Sequence, residues 1–131
     1  MVSIDATPDP TGDLALQTIA MPADTNANGD IFGGWLVSQM DLAGGVAAGK
    51  IAMGRVATVA IDRMNFMVPV KVGAIVSCYT EVIAIGRSSI EVNIEVWATD
   101  SNHAEPTKVT EGVFVFVAID ENGRTRKLQQ N

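Results

Sequence analysis

Asp41 stands where an acid is seldom found, about two turns inside a run of glycine, alanine and aliphatic residues with the spacing of a helix. At that spacing it lines up with Gly34, Val37 and Ser38 before it and with Gly44, Gly45 and Ala48 after it. A carboxylate on a solvated face sits among Lys, Glu and Gln. This one is expected to be partly buried beside a groove, able to act as a general base toward water or as a nucleophile. An acid satisfied by a neighbouring hydrogen bond is the plainer alternative. Against it, Asp is a poor helix former, and Gly44 and Gly45 would each cost about 1 kcal/mol relative to Ala in a helix interior, so space overrides local preference here.

Other groups could join it. Gly33 and Gly34 stand where the helix begins; alone they read as a tight turn, but with Asp41 behind them their unpaired N–H groups and the positive end of the helix dipole offer an oxyanion site for a carbonyl under attack. Asn26, Asn28 and Asp30 in the preceding loop are turn formers or N-caps that could orient water or a substrate amide. The run Gly86-Arg87-Ser88-Ser89 can hold an anion through backbone amides, hydroxyls and a guanidinium, although a hairpin turn with a solvated arginine is the commoner meaning. His103 lies in a polar loop with no second histidine to build a triad or a metal site, so no metal is expected. Cys78 is expected to pack inside a strand.

These groups need a frame. The helix runs to Ala52 and is closed by Gly54; its second half, Leu42 to Ala52, is so uniformly Ala, Gly, Val and Ile that it is expected to be enclosed on most sides. A first strand is expected from Asp13 to Met21, ended by Pro22. Beyond Arg55 come strands near Val56–Phe66, Ala74–Ile85, Ser89–Thr99 and Lys108–Ile119. The third alternates cleanly, Ile90, Val92, Ile94 and Val96 against Glu91, Asn93 and Glu95, which predicts one buried and one wet face. Turns this short between neighbouring strands imply an antiparallel sheet, and one early helix implies an α+β fold with the sheet wrapped around it. Such a sheet covers one side of the helix, so pairing of two subunits is expected. Residues 1–12 read as a mobile leader, 13–126 as a single domain and 127–131 as a tail, with the polar, basic stretch from Glu121 onward expected to be exposed.

Composition narrows the partners. Of 131 residues, 15 are acidic and 9 basic, a net charge of −6, which argues against general binding to nucleic acid or an anionic membrane. A polyanionic ligand would need a local basic site. The single cysteine leaves no intramolecular disulfide and fits a reducing compartment; the N-terminal residues have neither the basic nor the apolar region of a signal peptide, and no run reaches membrane-spanning length. A cytoplasmic location is expected.

Several motifs together resemble the hotdog-fold acyl-CoA thioesterases, specifically the bacterial YciA-like group related to the cytosolic acyl-CoA hydrolases. They are Met21-Pro22, Asn26 to Trp35 followed by Gln39-Met40-Asp41, Arg63-Met64-Asn65-Phe66, Gly86 to Ile90, and Thr110-Glu111-Gly112-Val113-Phe114 with Phe116-Val117-Ala118. The resemblance spans about residues 14 to 126. It implies a hotdog subunit, a homodimer with active sites at its interface, often a hexamer as a trimer of dimers, and hydrolysis of acyl-CoA to free acid and CoA without a further cofactor. It matches the catalytic acid to Asp41, the polar loop residues to Asn26 and Asp30, the helix-start amides to Gly33 and Gly34, and the CoA-contacting turn to Gly86, Arg87, Ser88 and Ser89. A hotdog hydratase would rely on a catalytic histidine, which His103 is poorly placed to supply. A non-catalytic acyl-CoA or lipid-sensing hotdog module would keep the groove and the Arg87 turn but would have no need of Asp41.

Overall fold

The alternating and continuous apolar runs fold as their periods predict. The structure, a computed structural model, describes residues 9–100 and 105–128. Strand β1 (Asp13–Ile19) and a short 3-10 turn (Pro22–Asp24) lead to helix α1 (Gly33–Ala52); β2 (Val56–Phe66), β3 (Ile75–Ile85), β4 (Ser89–Thr99) and β5 (Thr107–Ala118) follow. The five strands form one sheet in the order β1-β3-β4-β5-β2, antiparallel at every pairing. Among the described residues no helix is long and apolar enough to cross a membrane.

α1 lies against one face of the sheet. Its buried residues, Leu36, Met40, Ala43, Gly44, Ala48 and Ala52, follow largely a four-residue step, the ridge that one helix face presents to a packing surface. Opposite them stand Ile90, Val92, Ile94 and Val96 of β4 with Phe114 and Phe116 of β5, all fully or almost fully buried. Gly44 sets how close the layers come: a Cβ there would lie 2.7 Å from Ile94 Cδ1 and 2.8 Å from Phe116 Cζ.

Several expectations need correction. The second half of α1 is not enclosed on most sides in this chain, because Leu42 (58% exposed), Val46 and Ile51 lie open. The sheet wraps one side only. The left-handed residue that ends the helix is Met53 (φ 54), not Gly54. Gly54 is there for room, since a Cβ would come 2.9 Å from Arg126 Nη2, and that guanidinium donates to Ala52 O at 2.7 Å and to Ile119 O at 3.1 Å. Arg126 thus binds the last carbonyl of the helix, Ala52 O, where a cation is favoured by the dipole, and ties it to the end of β5 through Ile119 O. The stretch from Glu121 is therefore not simply exposed: Leu128 joins the core at 8% exposure, and its N–H donates to Arg87 O at 2.9 Å.

The outer face of β4 is likewise not wet along its length. Glu95 and Trp97 are each 4% exposed. Trp97 Nε1 (2.9 Å) and the Thr11 N–H (3.2 Å) both donate to Glu95 Oε1, and Lys108 Nζ lies 3.8 Å from its other oxygen and 2.7 Å from Glu111. A buried carboxylate needs such partners. The end of the expected leader, Thr11 with Gly12 (φ 99, packed on the Thr80 carbonyl), is thereby tied to the sheet.

Candidate active site

Asp41 is half-buried on α1, on the side that faces β2. The Thr58 hydroxyl donates to its Oδ1 at 2.5 Å. Among the described residues Asp41 Oδ2 has no protein partner. One carboxylate oxygen is therefore held and the other is available, the state a base or a nucleophile requires. Nothing in the sequence marks Thr58; its role appears only once the register of β2 is known.

The loop before α1 is built on Asn26. Its Oδ1 accepts from the Asn28 N–H at 2.9 Å and from the Asp30 N–H at 3.1 Å, while its own N–H donates to Asp30 O at 2.7 Å. Asp30 Oδ1 in turn accepts from Lys71 Nζ at 2.5 Å, across a backbone bridge between the same two residues. Asn26, Asn28 and Asp30 are turn formers, as expected. None of them is the N-cap, which is Phe32 without a side-chain hydrogen bond. Phe32 O takes the N–H groups of Trp35 and Leu36, and those of Gly33 and Gly34 have no backbone partner among the described residues. The helix thus begins with free amides and no side chain covering them.

The groups do not converge within one chain. Asn26, Asp30 and Gly33 line a cleft of about 340 Å³ walled by Phe66, Met67 and Val70; Asp41 and Gly34 are not part of its lining. Gly86 to Ser89 form the β3–β4 turn, where the Gly86 N–H donates to Ser89 O at 2.8 Å and a Cβ at Gly86 would come 2.6 Å from Ser89 Oγ. Arg87 is exposed, and among the described residues its side chain has no partner. That turn is at the far end of the sheet. Ser89 and Ala57 both pair with Val117, whereas Gly33 sits beside Phe66. Seven residues of β5, from Thr110 opposite Phe66 to Val117, at about 3.3 Å each separate those levels by roughly 23 Å. The helix start and the Arg87 turn therefore lie near opposite ends of the subunit.

Cys78 is buried on β3, and burial pushes its thiol up from 9.0 to about 12, which suits packing and not reactivity. His103 lies outside the described residues. Among those described, no three His, Cys, Asp or Glu side chains are grouped to hold a metal ion.

A five-stranded antiparallel sheet packed on one long helix is the architecture of a solved hexameric hotdog fold thioesterase of Campylobacter jejuni, which this chain resembles with a TM-score of 0.85 and 40% identity, over 90% of this chain and 91% of that one. Residues 28–105 match the thioesterase superfamily, and the chain belongs to that family. It is 52% identical over 123 residues to the acyl-CoA thioester hydrolase YciA of Escherichia coli (strain K12), covering 91% of this chain and 92% of that protein. Among solved structures it resembles a hexameric thioesterase from Yersinia pestis with a TM-score of 0.89 and 53% identity, over 93% of this chain and 99% of that one. It resembles a hexameric broad specificity acyl-coenzyme A thioesterase equally well, with a TM-score of 0.89, 50% identity and coverage of 95% and 86%.

Proposed function

We propose that the protein is a cytoplasmic acyl-CoA thioesterase that works as a hexamer of paired subunits and hydrolyses acyl-CoA to a free acid and CoA. The observation that carries this reading is the half-held carboxylate of Asp41, on a helix face that the single chain leaves open. Relatives with half of this sequence are acyl-CoA thioester hydrolases, and similar solved structures are hexameric thioesterases. A thioester carbonyl seated at the free amides of Gly33 and Gly34 would be polarised by the helix start. Asp41 would take a proton from water as the water oxygen bonds to the carbonyl carbon. The tetrahedral oxyanion would then collapse, the C–S bond breaking and the CoA sulfur leaving with a proton. Alternatively, Asp41 Oδ2 would bond directly to the carbonyl carbon, the C–S bond breaking as the CoA sulfur leaves and takes up a proton, and water would then cleave the mixed anhydride to release the acid and restore the carboxylate. Asn26 and Asp30 would shape the approach to the carbonyl. Arg87, Ser88 and Ser89 would meet the CoA phosphates, which is how a net acidic chain can hold a polyanion.

The test is Asp41→Asn in a free-thiol release assay over acyl chains of increasing length. The expected loss of turnover is about 100-fold or more, with CoA binding retained. Turnover by the variant at the wild-type rate would remove Asp41 from the chemistry. Wild-type protein that binds acyl-CoA but turns none over would make this a sensing module. Arg87→Ala is expected to weaken CoA binding more at low salt than at high salt, because the contact is ionic; unchanged affinity would detach that turn from the site.

A further inference from the structure

We infer that Lys71 is a positioning residue for the helix start: it holds and neutralises the carboxylate of Asp30, leaving the positive end of α1 free for the oxyanion. The inference rests on the reading of the Gly33 and Gly34 amides as the place of the thioester carbonyl. Asp30 is the one ionisable side chain among the residues that line its cleft with Gly33; apart from Asn26, the other side chains there are apolar. A carboxylate just ahead of the first helical turn is drawn to the positive end of the dipole, the same place that a developing oxyanion needs. Left bare, Asp30 would oppose that oxyanion, and apolar walls would screen the repulsion less than water does.

Main-chain pairing brings the opposite charge to it. In the connection between β2 and β3, the Ile31 N–H donates to Val70 O at 2.9 Å, and Asp30 and Lys71 form an antiparallel bridge. Residues paired in this way carry their side chains together, and Lys71 Nζ reaches Asp30 Oδ1 at 2.5 Å. The backbone of Asp30 is held separately, by Asn26 on both its N–H and its carbonyl. The loop therefore keeps its shape without the lysine. The Lys71 side chain is 63% exposed and that of Asp30 25%, and an ion pair so open on one side adds little to stability. Its loss is felt in catalysis and not in folding.

The test is Lys71→Met, which keeps an unbranched side chain and removes the charge, beside Lys71→Arg, which restores it. Lys71→Met is expected to lower kcat for a short-chain acyl-CoA about 10-fold, with KM changed by less than about 2-fold and Tm unchanged, and Lys71→Arg to recover most of kcat. Adding Asp30→Asn to Lys71→Met should raise kcat again by about 5-fold, because no charge is then left to neutralise. A pair that served only to hold the loop would lose as much or more in the double variant. If Lys71→Met lowers Tm, Lys71→Gln takes its place in the comparison. Wild-type kcat in the uncharged variant, an arginine variant as slow as the methionine one, or no recovery on adding Asp30→Asn overturns the inference. So does a raised KM with kcat unchanged, which would make Lys71 a contact to the CoA phosphates. In each of these cases turnover by the wild-type protein leaves the thioesterase reading intact. Wild-type protein that binds acyl-CoA without turning it over overturns both.

Discussion

Gly44 and Gly45 are neighbours on α1 with opposite reasons to be glycine. A side chain at Gly44 would strike Ile94 and Phe116, whereas one at Gly45 would meet nothing within 4 Å. Gly34 is equally open, and Asp41 and the exposed Leu42 lie between these two glycines in sequence. On the sheet side of α1 the chain's own packing accounts for the small residues. On the other side it does not, and that side carries the carboxylate proposed for catalysis. The difference separates what builds the subunit from what the subunit offers to a second chain and to substrate.

Substitutions on the two sides should part accordingly. Phe116→Ala, on the sheet side, empties a wholly buried site and is expected to destabilise by about 3–5 kcal/mol in urea unfolding. Cys78 tests the same interior by ionisation. Its folded thiol titrates near 12 against 9.0 unperturbed, so the unfolded chain gives up its proton first, and the thiol's contribution is complete below pH 9.0 and lost as pH rises toward 12. Wild-type stability should therefore fall more steeply than that of Cys78→Ala between neutral and about pH 10.5. Gly44→Ala forces atoms into a closed contact and should cost about 1–3 kcal/mol. Gly45→Ala should leave the subunit fold within about 1 kcal/mol, the range of helix propensity, and equal losses at the two glycines would end the comparison. The smallest effect on the subunit itself is expected from Leu42→Glu, within about 0.5 kcal/mol by circular dichroism melts. Sedimentation should nonetheless show a smaller assembly, and an unchanged one would mean that no subunit packs on that face.

The helix, the strands and their antiparallel order were legible because each is a local matter of period and punctuation. Asp41 stood out for a similar reason, as an acid among small residues. Other features left no such mark. Thr58 reads as one polar residue in a strand until β2 is set beside β5 with its bulge at Val59. Glu95 reads as a solvated strand residue until Thr11, Trp97 and Lys108 are brought over it. Arg126 and Leu128 read as tail until one meets the end of α1 and the other the core.

By itself the sequence determined the α+β layout, the buried alternation of β4 and the odd carboxylate in α1, since these depend on neighbours a few residues away. The tertiary structure decided which oxygen of Asp41 is held, which side of α1 stays open, and that Asn26, Asp30 and Gly33 share a cleft while the Arg87 turn lies roughly 23 Å off along the strands. Those facts depend on strand register and on contacts between distant residues, which no local pattern encodes.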